Sequence, residues 1–230
     1  MAVAFLPTTL RDDWVSCSNY MKKLLLIITF LSLGSCYAQK NCITLKHSGY
    51  TSVFDTIHHV PFYTEYTLTK SEAQNKGKYK RLPTFIQDPK VGAEYQASNK
   101  EYAMSGYDKG HMVNAEDESY CKECEKESFL FTNVVPQNHK LNIGQWKELE
   151  NHVRREALDS DSLLIITGCF GFETKIITTY IPENLFKIIY NYTTKTTEIY
   201  IIPNKEIGDY TKYLVKNGSV PGINLKDLIK

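Results

Sequence analysis

Two short segments of the chain combine side chains that are suited to acid–base and metal chemistry. The first is Asp108-Lys109-Gly110-His111, and the second runs from Thr132 to Arg154. A histidine is the side chain best able to take up a proton near neutral pH. The oxygen of an asparagine is a ligand that a hard divalent cation accepts. A histidine alone, however, is more often a buried core residue, so the surrounding pattern has to decide between these interpretations.

A stripe along the second segment favours the functional interpretation. Asn142, Trp146, Glu150 and Arg154 are spaced four apart, so on a helix each step turns by about 40°. We expect Trp146 to point toward the core, which leaves Asn142 and Glu150 facing a common cleft. Two structural alternatives stay open. Asn142 is also a typical N-cap residue, and Glu150 with Arg154 is also an ordinary i,i+4 ion pair.

Together the two segments resemble the DNA/RNA non-specific endonuclease family, which includes endonuclease G and has a ββα-metal (His-Me finger) site. The family signatures are Asp-Arg-Gly-His, and Asn-x-x-Pro-Gln followed by Leu-Asn-x-x-x-Trp-x-x-Leu-Glu. The second is matched at eight positions, which are Asn133, Pro136, Gln137, Leu141, Asn142, Trp146, Leu149 and Glu150. The resemblance covers roughly residues 45–203. It departs from the family at Lys109, because lysine lacks the planar fork with which arginine binds phosphate.

The resemblance implies an endonuclease that hydrolyses phosphodiester bonds in DNA and RNA with one Mg²⁺ ion, for which Mn²⁺ is a substitute. His111 is the expected general base, Asn142 the metal ligand, and Glu150 the residue that orients metal-bound water. Three basic residues are expected to bind substrate phosphate, namely Arg154, Arg81 and Lys109. Arg154, Lys109 and Asn133 are also placed in the catalytic set. Asp108 and Gln137 are expected to support the site, Asp108 and Asn133 through hydrogen bonds to His111 or its strand.

Charge composition bears on how nucleic acid would be bound. The chain has 27 basic and 26 acidic residues, a formal net charge of +1. There is thus no polycationic field that would coat DNA, and binding must rely on local charge or a metal. Contacts to the phosphate backbone carry no sequence information, so we expect no sequence specificity. A catalytically weak nucleic-acid-binding module on the same fold is the alternative function, motivated by Lys109 and the near-neutral charge.

The cysteines suggest a separate hypothesis. Beyond residue 40 the chain has Cys42, Cys121, Cys124 and Cys169. An even number in an exported protein favours disulfides. The Cys121–Cys124 spacing fits a structural disulfide, a zinc half-site completed by histidines, or a redox centre. The redox centre requires a βαβ setting that the sequence does not show. Cys121–Cys124 together with Cys42–Cys169 is one of the three possible pairings of these four cysteines.

The elements that must position these residues indicate an α+β fold, with a central, mostly antiparallel sheet and a ββα-metal active-site motif. Strands are predicted at 50–69 (a pair with a turn near 58–59), within 104–113, at 129–135 up to Pro136, at 162–167 up to Gly168, at 186–192 and at 198–202. Residues 70–100 and 114–127 are predicted as loops. One helix is predicted from Ile143 to Leu158, and a short one at 225–229.

The N-terminus is predicted to be a targeting segment. Met21, a candidate start, is followed by two lysines and an apolar run to Leu33, which is typical of a secretory signal peptide and too short to span a bilayer. Cleavage would occur before a lipid-anchored Cys36, or after Ala38. We therefore expect residues 37–230 to form a single endonuclease domain. We also expect the protein to be exported, as a periplasmic, secreted or outer-membrane lipoprotein form.

Overall fold

A six-stranded antiparallel sheet forms the centre of the described fold. The computed structural model describes residues 41–216, 218–224 and 228. In their order across the sheet, its strands are β1 (Cys42–Lys46), β2 (Thr51–Asp55), β3 (Val60–Thr69), β6 (Ser162–Lys175), β7 (Tyr180–Asn191) and β8 (Thr196–Pro203). A second sheet pairs β4 (Tyr107–His111) with β5 (Val134–Asn138). The predicted α+β class is confirmed.

The helices are short, with one exception. They are α1 (Lys70–Gln74), α2 (Asn99–Tyr102), α3 (Ala115–Glu118), α4 (Lys122–Ser128), α5 (His139–Leu141) and α6 (Lys147–Asp159), with 3₁₀ turns at Ala93–Tyr95, Phe131–Asn133 and Tyr210–Tyr213. Helix α6 packs its apolar stripe into the main core through residues such as Leu149 and Val153. Its burial, more than its intrinsic propensity, stabilises a helix of this length.

The central strands are apolar on both faces because both faces are covered. On β6, Leu163 and Ile165 belong to the core that contains Trp146. Leu164 and Ile166 alternate with them and belong to a second core on the opposite face. This explains why strand β6 reads as a continuous apolar run. The strand also continues past Gly168, where it was predicted to break, because Gly168 is paired with Tyr63 of β3 and Phe186 of β7. Glycine is required there by close packing, since an added Cβ would overlap the carbonyl oxygen of Phe62.

The predicted helix from Ile143 to Leu158 is present but begins differently. Asn142–Trp146 is a π-helical segment, and Gly144 within it has non-helical angles of φ −105° and ψ −111°. The regular helix α6 starts only at Lys147. Such π-turns are rare and occur frequently at functional sites. The distortion alters the angle between Asn142 and the rest of the stripe, but Trp146 still points into the core, where it is 1% exposed.

Several local predictions were wrong. The strand predicted at 129–135 is present only from Val134, because Phe131–Asn133 forms a 3₁₀ turn. Residues 114–127 contain helices α3 and α4, which the sequence pattern hid because they are short and charged. Side-chain caps start both helices, Asn114 for α3 and Cys121 for α4. Pro136 does not stop a strand but lies inside β5, opposite Lys109. A two-stranded sheet leaves each strand an open edge, and a residue that lacks an N–H is tolerated there.

The predicted helix at 225–229 lies for the most part outside the described residues. Strand β1 and helices α1 and α2 lie where no regular structure was predicted. In the described part of the chain, no helix has the length and apolar character required to cross a membrane.

Candidate active site

The small sheet and the segment that follows it form a ββα arrangement around one cleft. Strand β4 ends at His111, which lies opposite Val134 of β5. The chain then passes through α5 and the π-helical segment into α6. The cleft between them has a volume of about 280 Å³. It is lined by Arg81, Lys109, His111, Asn114, Ala115, Glu116, Asn142, Ile143, Lys147, Glu150 and Arg154. Six of these are residues that the sequence had assigned to the site.

His111 lies in an apolar environment at the edge of the cleft. It is 9% exposed, and its ring centroid lies 4.9 Å from that of Phe85 and 5.1 Å from that of Phe129. Within the described residues, its Nε2 is buried without a hydrogen-bond partner. Burial, and secondarily the positive charge of Arg81, lowers the pKa of His111 to about 3. The imidazole is therefore neutral at physiological pH and able to accept a proton.

Asn142 is held by a carboxylate from the neighbouring strand. Its Nδ2 donates a hydrogen bond of 2.8 Å to Oδ2 of Asp108, which leaves Oδ1 as the atom available to a ligand. Asp108 also pairs with Nδ1 of His139 at 2.9 Å. We expected Asp108 to hydrogen-bond to His111 or its strand. Instead it positions Asn142, because the side chain of Asp108 projects toward the start of the helical segment.

Glu150 lies deep in the cleft, one turn beyond Trp146. Burial raises its pKa to about 7, against the opposing positive charge of Lys187. Lys187 on β7 is itself only 1% exposed. Its Nζ donates a hydrogen bond of 2.7 Å to Oγ1 of Thr167 and lies 5.0 Å from the centroid of the Trp146 ring. Burial lowers the pKa of Lys187 to about 8. Lys187 was not among the site residues expected from sequence, although a lysine within an apolar strand is unusual.

Arg154 is fixed by acidic residues that precede it in the chain. Its Nη1 donates a hydrogen bond of 2.9 Å to Oδ1 of Asp117, and its Nη2 lies 3.4 Å from Oε2 of Glu116. The buried Asp117 also accepts a hydrogen bond of 2.7 Å from the hydroxyl of Tyr66. The ion pair of Arg154 is therefore with Asp117 rather than with Glu150. This network holds the guanidinium at the cleft wall.

Two further cations of the cleft lie against aromatic rings. Nζ of Lys109 is 5.5 Å from the centroid of Phe85 and 5.4 Å from that of Tyr102. The guanidinium carbon of Arg81 lies 4.9 Å from the centroid of Phe129. Cations in such positions are held by the negative face of the ring. Together with Arg154 and Lys147 they place four cations in a cleft that is also lined by Glu116 and Glu150.

Asn133 and Gln137, both assigned to the site from sequence, are buried outside the cleft. The side chain of Asn133 accepts a hydrogen bond from the backbone N–H of Val113 and donates to the carbonyls of Val113 and Ser128. It therefore secures the chain just after His111 instead of entering the cleft. Gln137 packs against Gly110, where an added Cβ would overlap its side chain. Both residues thus shape β4 and β5, which position His111.

The cleft also contains residues that sequence reasoning missed. Asn114 caps α3 through a hydrogen bond from the backbone N–H of Glu116, and its proximity to Glu150 partly opposes the rise in the pKa of that carboxyl. Glu116 lines the cleft as well, and Lys147 is an exposed cation at the start of α6. The signal for Asn114 was its position just ahead of the acidic run Glu116–Glu118, which is typical of a helix N-cap.

The donor atoms of the cleft fit a hard divalent cation. Oδ1 of Asn142 is the available end of an amide whose other end is fixed, and Glu150 adds a carboxylate nearby. Few protein oxygens are present, and the cleft is open. This suits an ion that keeps several waters and takes further oxygens from a phosphate.

The cysteines are structural. Cys121 and Cys124 form a disulfide at the start of α4, where Sγ of Cys121 accepts a hydrogen bond from the N–H of Cys124. This confirms the predicted disulfide and removes the zinc half-site. The bond lies between two helices rather than in a βαβ unit, so the redox setting is missing from the described chain. Cys169 is a buried thiol, which excludes the Cys42–Cys169 bond.

Comparison with known proteins identifies the family to which this fold belongs. The family model described as DNA/RNA non-specific endonuclease matches residues 35–227. The chain therefore belongs to this family, whose nucleases are metal-dependent. The fold is similar to that of a chain in a crystal structure of the EndoG/EndoGI complex, with a TM-score of 0.69, 24% identity, and coverage of 75% of this chain and 80% of that one.

Named relatives support the same family. Nuclease 1, mitochondrial, of Schizosaccharomyces pombe is 29% identical over 195 residues, which cover 75% of this chain and 60% of the relative. Nuclease EXOG, mitochondrial, of Mus musculus is 25% identical over 185 residues, covering 72% and 50%. Endonuclease G, mitochondrial, of Homo sapiens is 31% identical over 84 residues, covering 36% and 28%. The chain thus spans only about half of the length of the relatives it matches.

These relatives correct the predicted localisation. Those from Schizosaccharomyces pombe, mouse and human are named as mitochondrial nucleases, so the prediction of an exported protein was wrong. Basic residues ahead of an apolar run indicate a targeting segment, but such segments are read by receptors and do not by themselves fix the compartment. The predicted signal peptide and the lipid anchor at Cys36 lie outside the described residues.

Proposed function

We propose that residues 37–230 form one endonuclease domain that hydrolyses phosphodiester bonds in both DNA and RNA with Mg²⁺ as its ion and Mn²⁺ as a substitute. The observation that carries this proposal is one cleft that contains four cations, a carboxylate-fixed Asn142 and a neutral His111, whose Nε2 has no hydrogen-bond partner among the described residues. A base, a metal ligand and phosphate-binding groups are the parts that phosphodiester hydrolysis requires.

His111 is the general base of this proposal. Its Nε2 is buried, so we assign proton uptake from the attacking water to Nδ1. Negative charge favours protonation of the ring. A phosphate bound in the cleft therefore raises the pKa of His111 toward the range in which it is an effective base. Glu150, which lines the same cleft, would orient water bound to the metal ion.

The metal ion would be held by Oδ1 of Asn142. When bound, it supplies stabilisation of the negative charge that develops on the phosphate and on the leaving 3′ oxygen. Asp108 keeps the amide of Asn142 in the orientation that presents Oδ1. Arg154, Arg81 and Lys109 bind the remaining phosphate oxygens, and cleavage leaves 5′-phosphate ends.

The same geometry supports the absence of sequence preference. The polar groups assigned to substrate are cations suited to phosphate, and phosphate contacts position a strand without reading bases. The formal charge of +1 gives little attraction beyond the cleft. We therefore expect binding with a modest salt dependence, set by the few phosphates in contact.

The test is cleavage of a supercoiled plasmid and of a structured RNA by the purified chain. We expect both to be cut with Mg²⁺ or Mn²⁺, to be left intact with EDTA, and to yield ends that a phosphatase must treat before a kinase can label them. Binding of either nucleic acid without cleavage at any concentration of Mg²⁺ or Mn²⁺ would overturn the proposal in favour of a binding module.

A further inference from the structure

A second group of metal-ligating side chains lies on the far side of α6. His152 and Glu156 are one turn apart on the helix, and Glu198 projects from β8. One ligand atom from each of these residues lies within 4.8 Å of the others. His152 is two residues beyond Glu150, which corresponds to a turn of about 200°. The group is therefore separate from the cleft that contains Glu150.

The distances within the group match those between ligands of a tetrahedral metal. Nε2 of His152 is hydrogen-bonded to Oε2 of Glu198 at 2.9 Å, a bond that an ion would replace, and lies 3.8 Å from Oε2 of Glu156. Two ligands bound to Zn²⁺ at its usual bond lengths in tetrahedral geometry are about 3.3 Å apart. The two separations lie on either side of this value, so small side-chain rotations would bring all three atoms to an ion.

Hydrogen bonds from neighbouring residues already orient both carboxylates. The hydroxyl of Tyr200 donates to Oε2 of Glu198 at 2.8 Å. Nδ2 of Asn191 donates to Oε1 of Glu156 at 2.9 Å, which leaves the other oxygen of Glu156 for a ligand. Such outer contacts are typical of metal sites, because they hold the ligands in place before the ion binds.

Glu156 provides an independent indication of a missing partner. Its Oε2 is inaccessible to solvent, and in the described part of the chain it has no hydrogen-bond partner. Leaving a buried carboxylate oxygen without a partner costs free energy. The atom faces Nε2 of His152. A cation between these two atoms would satisfy it.

We propose that His152, Glu156 and Glu198 bind a Zn²⁺ ion that fastens α6 to β8. One imidazole nitrogen with two carboxylate oxygens suits Zn²⁺ better than Mg²⁺, which prefers oxygen ligands alone. The side chains of the three residues are 27%, 20% and 33% exposed, so an ion can enter and a water can complete its coordination. Because α6 also carries Glu150 and Arg154, the ion would stabilise the helix that forms one wall of the cleft.

Visible absorption of Co²⁺ tests this site without reference to nuclease activity. Co²⁺ replaces Zn²⁺ in tetrahedral sites and there absorbs far more strongly than in octahedral ones. We expect the intense bands with the full chain, and also with Asn142→Ala, which removes the ligand proposed for the cleft. Glu148→Gln is the matched control, an exposed carboxylate on the same helix. It should keep the bands, whereas His152→Ala and Glu198→Gln should lose them.

Thermal unfolding provides the second readout. At a Zn²⁺ concentration of about one hundred times the Kd, we expect the Tm of the full chain to rise by roughly 5–10 °C. The Tm of Glu198→Gln should not rise. If His152→Ala does not fold, His152→Gln and Glu156→Gln replace it. Bands that are missing from the full chain, that persist in folded cluster variants, or that disappear with Asn142→Ala would overturn the proposal, whatever the outcome of the nuclease assays.

Discussion

Oδ2 of Asp108 accepts a hydrogen bond of 2.8 Å from Nδ2 of Asn142, which ties strand β4 to the first residue of the π-helical segment. The two residues are 34 positions apart in the chain. The bond sets which end of the Asn142 amide faces the cleft. Through it, the strand that carries His111 also determines where the proposed metal ligand, Asn142, lies.

Loss of the Asp108 carboxylate should therefore weaken metal binding more than it slows the chemical step. For Asp108→Ala we expect the Mg²⁺ concentration that gives half-maximal cleavage to rise by roughly 10- to 100-fold, the effect usual for a residue that positions a metal ligand. The rate at saturating Mg²⁺ should fall much less. Asp159→Ala removes an exposed carboxylate of α6 and is the control. An unchanged Mg²⁺ dependence in Asp108→Ala would contradict this role.

Substitution of Lys109 by arginine tests phosphate binding through an expected increase in kcat/KM. An arginine at this position can still lie on the rings of Phe85 and Tyr102, and it adds a second hydrogen bond to phosphate. We expect kcat/KM of Lys109→Arg to rise by roughly 5- to 30-fold, which corresponds to about 1–2 kcal/mol. Lys147→Arg, the same change at an exposed lysine of the cleft, should have little effect. Equal increases in kcat/KM in both variants would contradict a specific contact between residue 109 and phosphate.

The titration of Glu118 should make the free energy of unfolding depend on pH. The side chain is 1% exposed, and burial, aided by the charge of Asp117, raises its pKa to about 8 from 4.5. A carboxyl whose pKa is raised binds its proton more tightly in the folded state. Its contribution to stability is thus complete below about pH 4.5 and is lost as the pH rises through about 8, at about 1.4 kcal/mol per pH unit between these limits.

Glu118→Gln keeps the shape of this side chain but cannot ionise. Denaturant unfolding at pH 6 and pH 9 should show that the variant loses less stability than the parent chain over this interval. Glu173→Gln, at an exposed position, should follow the parent chain. If Glu118→Gln and the parent chain lose equal stability, Glu118 is ionised in the folded protein at both pH values and the prediction fails.

The Cys121–Cys124 bond should matter for stability and not for chemistry. A disulfide that closes a loop of four residues is worth about 2 kcal/mol in the chain-entropy model. Serine at position 121 can still accept the capping hydrogen bond of α4. We expect the double variant Cys121→Ser/Cys124→Ser to lose about that free energy of unfolding while it still cleaves DNA. Dithiothreitol should destabilise the parent chain alone. Loss of cleavage in a folded double variant would instead assign the thiols a catalytic role.

Signals confined to short segments allowed much of the fold to be predicted from sequence. Alternating Tyr, Thr and Val residues identified β2 and β3, and the apolar stripe identified α6. Helices α3 and α4 were missed because side-chain caps and tertiary contacts stabilise them, and neither produces a periodic pattern. Pro136 was misinterpreted because its position in a two-stranded sheet depends on long-range pairing.

The candidate site, too, could be predicted from sequence only in part. His111, Asn142 and Glu150 could be selected because family spacing places them together. The burial that lowers the pKa of His111 and the partner of Asp108 are properties of the assembled molecule, so no linear pattern contains them. Lys187 illustrates this most clearly, since its influence on Glu150 arises from two elements that are far apart in the chain and meet only in the core.

The most direct test of His111 as the base that takes the proton from the attacking water is the cleavage rate of His111→Ala on a supercoiled plasmid with saturating Mg²⁺. We expect the rate to fall by roughly 10²- to 10⁴-fold, the usual contribution of a general base, with plasmid binding nearly unchanged. The Tm should fall, because the variant loses a buried ring, so the assay is run well below it. His59→Ala, a histidine of the β2–β3 turn, should retain the parent rate. A folded His111→Ala that still cleaves at the parent rate would contradict the account.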